Sequence, residues 1–291
     1  MKRIAVVTGA GGLIGRYVVK TAHRWAPEWE IRDVCHSDID LTNFSAVDAL
    51  WSRLSPDAVI HCAAMSRTKD CEQDPDRAHL VNVEVTRHLA ALSRHVPFFF
   101  LSSGEVFDGS RGWYDESDEP NPINVYGRTK CEAEQIILGN RRHTVLRIVL
   151  TAGTSSSGNR SFVEDMCLTA EGGRDVRLYA DEFRCPLPAG VIARVIWELV
   201  ERKKPGLYHL GGRERLSRWE IAEALLPWYP ELKGRLVKGW RRDHAGGPRP
   251  EDLSLRCDKI SRVIASPIPG FREWLSNRTQ RGPDLWDYLS P

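Results

Sequence analysis

A doubly wound α/β fold built on a parallel sheet is what this sequence predicts, and three observations predict it. Short apolar runs rich in β-branched residues alternate with helical stretches from the N-terminus to about residue 150. The first run, residues 3–7, lacks polar alternation, as a strand buried on both faces of a parallel sheet should. It leads directly into Thr8-Gly9-Ala10-Gly11-Gly12-Leu13-Ile14-Gly15, a glycine turn between strand and helix.

The remaining elements follow in order. A helix is expected over about 13–25 and a second strand around 30–35, completing a βαβ unit. A helix near 44–54, a strand from Ala58 to Cys62, a helix near 76–95 and a strand from Phe98 to Ser102 repeat the theme. The polar, proline-bearing stretch Asp108 to Asn124 is a loop, and the helix after it carries Tyr126 and Lys130. Thr144 to Leu150 is a further strand, whereas Thr151 to Asn159, rich in Ser, Thr and Gly, is a loop leaving the sheet. A helix from about 189 to 202 and the strand Gly206 to Leu210 form one more return, and helices near 217–226 and 270–277 belong to a less regular region. The expected organisation is a dinucleotide-binding Rossmann domain over 1–150 plus about 188–210. Interleaved with it is a smaller substrate-binding lobe, about 151–187 and 211–291.

With 41 basic and 39 acidic residues, the net charge of +2 gives no global field for nucleic acid or a membrane surface. The runs Arg202-Lys203-Lys204 and Arg241-Arg242 are short enough to be solvated faces. Seven cysteines without C-x-x-C spacing suit a reduced, cytoplasmic protein, and the odd number forbids complete pairing. No apolar run approaches the ~20 residues of a membrane span, and the apolar run Ile4 to Val7 is too short for a signal peptide. Nine histidines show no metal-ligand spacing, so no metal site is expected. The ten tryptophans, with Trp219, Trp228, Trp240 and Trp274 late in the chain, are expected to pack the smaller lobe, or in one case to cover a nucleotide base.

Three groups of residues carry chemistry. The spacing Gly9-x-x-Gly12-x-x-Gly15 lets the backbone approach a pyrophosphate whose charge meets the helix N-terminus at Leu13 and Ile14. Tyr126 and Lys130, four apart, share a helix face, so the ammonium can stabilise a phenolate and the pair can act as a coupled acid. At the end of the second strand, Asp33 suits the ribose diol of NAD, while His36 and Ser37 suit the extra phosphate of NADP.

Taken together these segments resemble the extended branch of the short-chain dehydrogenase/reductases, over nearly the whole chain. Pro56 to Ala64 resembles its third strand and the turn bordering the cofactor, which implicates Ala63 and Ala64, and Asn82 is similar to its bracing asparagine. Leu101 to Gly109 resembles the strand-end motif that supplies the triad hydroxyl, here Ser103. Val106-Phe107-Asp108-Gly109, Asn124 to Lys130, Gly206 to Leu210, Arg249-Pro250 and Ser254-Leu255 resemble the dTDP-4-dehydrorhamnose reductases. That resemblance implies NAD(P)-dependent reduction of a nucleotide-linked 4-keto-deoxysugar by Ser103, Tyr126 and Lys130. It leans the cofactor towards NADP(H), with NAD(H) the alternative. It also implies a substrate wall of Asn159, Phe162, Arg184 and Arg249 and allows a homodimer.

The match has departures. Gly104 and Glu105 stand where the reductases commonly have Asp and Tyr, and Pro186-Leu187 replaces Pro-Thr. Glu105 is similar to the glutamate of sugar-nucleotide 4,6-dehydratases, but their acid is replaced by Gly104. Two alternatives stay open: a dinucleotide-binding regulatory protein resembling the regulatory subunit of methionine adenosyltransferase, and a sugar-nucleotide epimerase.

Overall fold

The computed structural model describes residues 2–244, 249–278 and 283–286. Its first half is β1 (Arg3–Thr8), α1 (Leu13–Trp25), β2 (Trp29–Val34), α2 (Phe44–Leu54), β3 (Ala58–His61), α3 (Thr68–Gln73), α4 (Pro75–His79), α5 (Val85–Leu92), β4 (Phe98–Ser103), α6 (Val125–Leu138) and β5 (Thr144–Ile148). After it come β6 (Thr151–Ala152), α7 (Phe162–Glu171), β7 (Val176–Tyr179), β8 (Phe183–Arg184), β9 (Leu187–Pro188), α8 (Ala189–Arg202) and β10 (Gly206–Leu210). The last described elements are β11 (Leu216–Ser217), α9 (Arg218–Leu225), β12 (Leu236–Gly239), α10 (Asp258–Ser261) and α11 (Phe271–Ser276).

Six parallel strands form the main sheet in the order β2-β1-β3-β4-β5-β10, the doubly wound fold expected. The order reverses between β1 and β3, and a crevice opens beyond the carboxyl ends of strands at such a switch point. Both sheet faces are covered. Val6, Val59, Phe98, Phe100 and Val145 point to a core closed by α2, α5 and α6 residues such as Trp51, Leu89 and Ile137. Their neighbours Ala5, Val7, Ile60, Phe99 and Leu146 point the other way, into a core shared with α1 and α8. This two-residue alternation explains the unbroken apolar runs. Trp197 of α8, fully buried, donates Nε1 to the Val18 carbonyl of α1 at 2.9 Å and fixes the two helices together.

Three expectations are corrected. Thr151 to Asn159 is not wholly loop, because Thr151 and Ala152 pair with Leu187 and Pro188. The helix expected near 76–95 is broken: Asp74 caps α4, Pro75 fills its first turn, and residues Leu80–Glu84 make a π-turn before α5. A π-turn inserts a residue into the helix and re-aims a side chain, here that of Asn82. The tryptophans do not all pack the smaller lobe. Trp274 is buried and Trp286 stacks 6.1 Å from Phe271, but Trp240 is exposed.

Strands β6 to β9 and β11 to β12 form three two-stranded pairs beside the main sheet. The apolar core nevertheless runs on from α1 and α8 to Ile221, Phe271 and Trp274 without a break. Parts of the expected lobe, residues 245–248, 279–282 and 287–291, lie outside the described residues. All seven cysteines are free thiols, and among the described residues no helix is long and apolar enough to cross a membrane.

Candidate active site

At the switch point, a cavity of about 800 Å³ runs from the glycine turn to the region after β5. This volume is ample for a small-molecule site. Gly9 holds φ +67°, and a Cβ there would stand 2.5 Å from the Ala63 nitrogen, so only glycine lets the β1 turn meet the β3 turn. A Cβ on Gly15 would strike the Gly9 carbonyl at 2.3 Å. Gly12 precedes α1 and offers no side-chain cap, so the first amides of that helix face the crevice as donors for an anion. Ala63, Ala64, Leu13 and Ile14 line the same cavity.

Asn82 sets the far side of this crevice. Its Oδ1 accepts from the Met65 amide at 2.8 Å, and its Nδ2 donates to the Met65 carbonyl and to Thr129 Oγ1, each at 3.0 Å. One buried amide thus ties the segment after Ala64 to helix α6, which carries Tyr126. The start of α6 is clamped as well. Asn124 caps it by accepting from the Gly127 amide at 2.7 Å, and its Nδ2 donates to Glu105 at 2.8 Å. Glu72, which no local sequence signal marks, accepts from the Val125 amide at 2.7 Å. A Cβ on Gly127 would lie 2.1 Å from the Glu105 carbonyl, so glycine is needed for α6 to approach the turn after β4.

These contacts bring Ser103 and Tyr126 to the same cavity wall, with the Ser103 hydroxyl near enough to act on the Tyr126 phenol. Burial pushes the phenol well above its ordinary range, Ser103 draws it down, and Glu105 and Cys71 push it up. Lys130 is buried a turn further on, with Nζ 3.9 Å from the centre of the Phe100 ring. Burial draws its ammonium down to about 7, against the pull of Glu134. The expected coupling of Lys130 to the phenol is therefore not the arrangement found: the ammonium faces Phe100, not the cavity, and Lys130 is not among the groups that shift Tyr126.

The sites expected at the end of β2 separate. His36 and Ser37 line the cavity, while Asp33 is exposed on β2 away from it. Asp40 is the carboxylate at this end of the cavity, and it lies 3.8 Å from Arg77. Among the expected substrate residues, Phe162 and Arg184 line the cavity, but Asn159 and Arg249 do not. The Asn159 carbonyl accepts from Arg67 at 2.6 Å, and Arg249 is engaged by buried Glu182 through bonds of 2.9 and 3.2 Å. No tryptophan lines this cavity among the described residues, so none covers a base there.

Several residues with a place at the site carried no sequence signal. Arg77 lines the cavity, and Arg218 lies over the ring of Phe162 at 5.0 Å; Arg160, inside the segment Asn159 to Phe162 that the family resemblance did mark, lines the cavity too. Asn124 was the readable one, since an Asn ahead of a helix is a common cap. Elsewhere the fold gathers His79, Glu84 and Glu132 within 4.8 Å of one another, but Arg87 pairs with both carboxylates at 3.3 and 3.4 Å.

Known proteins resemble this chain over nearly its whole length. The model of the RmlD substrate binding domain family matches residues 2–282. A dTDP-4-dehydrorhamnose reductase of Sinorhizobium fredii is 30% identical, across 92% of this chain and 93% of that protein. Methionine adenosyltransferase 2 subunit beta of Xenopus laevis is also 30% identical, across 99% of this chain and 88% of its own length. Among solved structures, dTDP-4-dehydrorhamnose reductase from Bacillus anthracis in complex with NADP superposes with a TM-score of 0.85 at 24% identity, covering 94% of this chain and 97% of that one. The glycine crevice, the Ser103–Tyr126 contact and the match from residue 2 to 282 have one reading: the chain belongs to the RmlD substrate binding domain family, within the extended short-chain dehydrogenase/reductase type.

Proposed function

We propose that the protein is an NAD(P)H-dependent reductase of a nucleotide-linked 4-keto-deoxysugar. The observation that carries this reading is the placement of Ser103 and Tyr126 on the wall of a cavity that also contains the glycine crevice. Gly9, Gly12, Gly15, Leu13 and Ile14 fit a dinucleotide, because the turn leaves no Cβ in the crevice and presents free helix amides. His36 and Ser37 at the cavity, with Asp33 outside it, favour NADP(H) over NAD(H). The nicotinamide, when bound, supplies the hydride.

Tyr126 is the acid, and burial keeps its phenol protonated at neutral pH. Ser103 donates to the same substrate oxygen and stabilises charge as it develops there. The part proposed for Lys130 is to stabilise the phenolate left after proton transfer and to contact the nicotinamide ribose, which requires its ammonium to leave the Phe100 ring. Phe162 and Arg184 would border the sugar nucleotide, with Arg249 and Asn159 holding the wall behind them. In this reading 1–150 with about 188–210 binds the dinucleotide and the rest binds substrate.

A second reading, a dinucleotide-binding regulatory protein, is supported by the similarity to methionine adenosyltransferase 2 subunit beta. Oxidation of NADPH and NADH with dTDP-, GDP- and UDP-linked 4-ketosugars separates the two. Turnover is expected in the wild type, with a loss of roughly 10²–10⁴-fold in Tyr126→Phe while NADPH binding survives. Tight cofactor binding with no turnover across the panel would favour the regulatory reading.

A further inference from the structure

Between β6 and α7 the chain crosses the glycine crevice, and the crossing is tied down unevenly. Its base is fixed. The Glu164 carboxylate accepts from the Ser155 amide at 2.5 Å, the Ser155 hydroxyl at 2.8 Å, and the Arg160 and Ser161 amides at 2.8 and 2.9 Å. Thr154 is held against α1, where Arg16 donates to its carbonyl at 3.2 Å and the Tyr17 hydroxyl accepts from its amide at 3.1 Å. The tip, residues 156–159, is exposed. Two hydrogen bonds join it to the crevice: Ser156 Oγ donates to the Gly11 carbonyl at 3.0 Å, and Arg67 Nη2 donates to the Asn159 carbonyl at 2.6 Å. Asp165 of α7, 3.9 Å from the Arg67 guanidinium, steadies the second of these.

The two bonds lie on opposite sides of the crevice. Gly11 belongs to the glycine turn after β1, and Arg67 ends the segment that leaves β3 and precedes α3, so residues 156–159 reach from one wall to the other. Gly11, Arg67 and Arg160 all line the cavity, which places this crossing at its edge. Gly158 stands in the middle of the span at φ +69°, with open space where a Cβ would be. The tip is therefore an arch held by its ends and not a packed element. A segment with a rigid base, few apolar contacts and exposed polar bonds at its tip can open locally while the rest of the fold stays intact.

We infer that residues 156–159 form a latched strap across the crevice, with Ser156 and Arg67 as its positioning residues, and that a dinucleotide enters and leaves only when the latch is released. This inference rests on the dinucleotide reading of the glycine crevice and adds to it a gate on exchange. Closure over a bound ligand sequesters it from water and makes release slow. A gate has a kinetic signature that a contact lacks. A side chain that touches the dinucleotide sets its affinity, whereas a strap closed with and without ligand slows entry and exit alike.

The test is stopped-flow binding and displacement of NADPH, followed by nicotinamide fluorescence, on the full chain in the wild type, Ser156→Ala and Gly158→Ala. Ser156→Ala removes the bond to Gly11, and Gly158→Ala strains the arch through its positive φ without a steric clash. Neither changes the charge, and Arg67 is left in place because its guanidinium lines the cavity and would act on a dinucleotide directly. Both variants are expected to raise the association and dissociation rate constants together, by roughly three- to tenfold, with the dissociation constant and the thermal midpoint held near wild type. Wild-type rate constants in either variant would overturn the strap. So would a loss of affinity with unchanged association, which makes the altered residue a ligand contact, or a lowered midpoint with unchanged rates, which assigns the loop to structure. Failure of the wild type to bind NADPH or NADH sinks the dinucleotide reading and the strap with it. Turnover of 4-ketosugar nucleotides with exchange rates indifferent to both substitutions sinks the strap alone, whereas faster exchange in the variants without turnover sinks the reductase reading alone.

Discussion

The ammonium of Lys130 stands 3.9 Å over the centre of the Phe100 ring, inside the core between α6 and the sheet. The ring face offsets part of the lost hydration by roughly 2 kcal/mol in a desolvated setting. Burial still wins, and the group is held down to about 7, with Glu134, Cys62 and Cys71 pulling it back up. Lys130 is thus poised between its two protonation states near neutral pH.

This poise has a signature in stability. Between about 7 and the ordinary lysine value of 10.5 the unfolded chain binds more protons at this position than the folded one. Folding stability from Lys130 should therefore rise with pH through that window, and below it the full penalty of the buried charge is present. Denaturant unfolding from pH 6 to 10 is expected to show this rise in the wild type and not in Lys130→Met, which should be the more stable protein at neutral pH. Parallel pH curves for the two proteins would contradict the placement of Lys130.

Gly127 and the Glu105 carbonyl make the second prediction. Gly127→Ala forces a Cβ to within 2.1 Å of that oxygen unless α6 retreats. The expected cost is about 1–3 kcal/mol of stability, by analogy with overpacked cores. Because Tyr126 precedes Gly127, a retreat of ~1 Å is expected to reduce turnover by roughly 10²-fold. Steady-state kinetics beside a urea titration checks both effects, and wild-type turnover in the variant would refute the clamp.

The buried pair of Arg147 and Glu134 supports the third. Arg147 bonds Glu134 at 2.7, 3.0 and 3.1 Å, Ser102 donates its hydroxyl to the same carboxylate, and both ion-pair partners are 3% exposed. Arg147→Met strands the carboxylate and is expected to cost about 3–5 kcal/mol, whereas adding Glu134→Met should recover much of it. Chemical denaturation of the single and double variants reads this out, and equal stabilities would show that the pair does not depend on mutual neutralisation.

A fourth prediction concerns the cofactor. His36 and Ser37 line the cavity and Asp33 does not. His36→Asp puts a carboxylate where a 2′-phosphate would be repelled and a ribose diol accepted. The ratio of NADPH to NADH dissociation constants is expected to shift towards NADH by roughly tenfold or more, about 1.4 kcal/mol. Asp33→Asn should leave the ratio unchanged, and a shift there instead would reverse the assignment.

The sequence by itself determined the features whose cause is local. Alternation of apolar runs and helices is enforced by burial on both sheet faces, and it gave the six main strands within a few residues. Gly9, Gly12 and Gly15 were legible because a tight turn against another backbone tolerates no Cβ, and Asn124 because a cap lies next to the helix that it serves. Ser103 and Tyr126 were legible through motifs attached to their own elements. Only the tertiary structure decided what depends on convergence. The direction of Lys130 is set by Phe100 from a strand of the sheet, and the placement of His36 and Ser37 at the cavity, with Asp33 outside it, by where β2 meets the crevice. The engagement of Arg249 by Glu182 joins residues 67 apart in the chain. Local spacing carries no record of such meetings, because the charges in them are balanced through space and not along the chain.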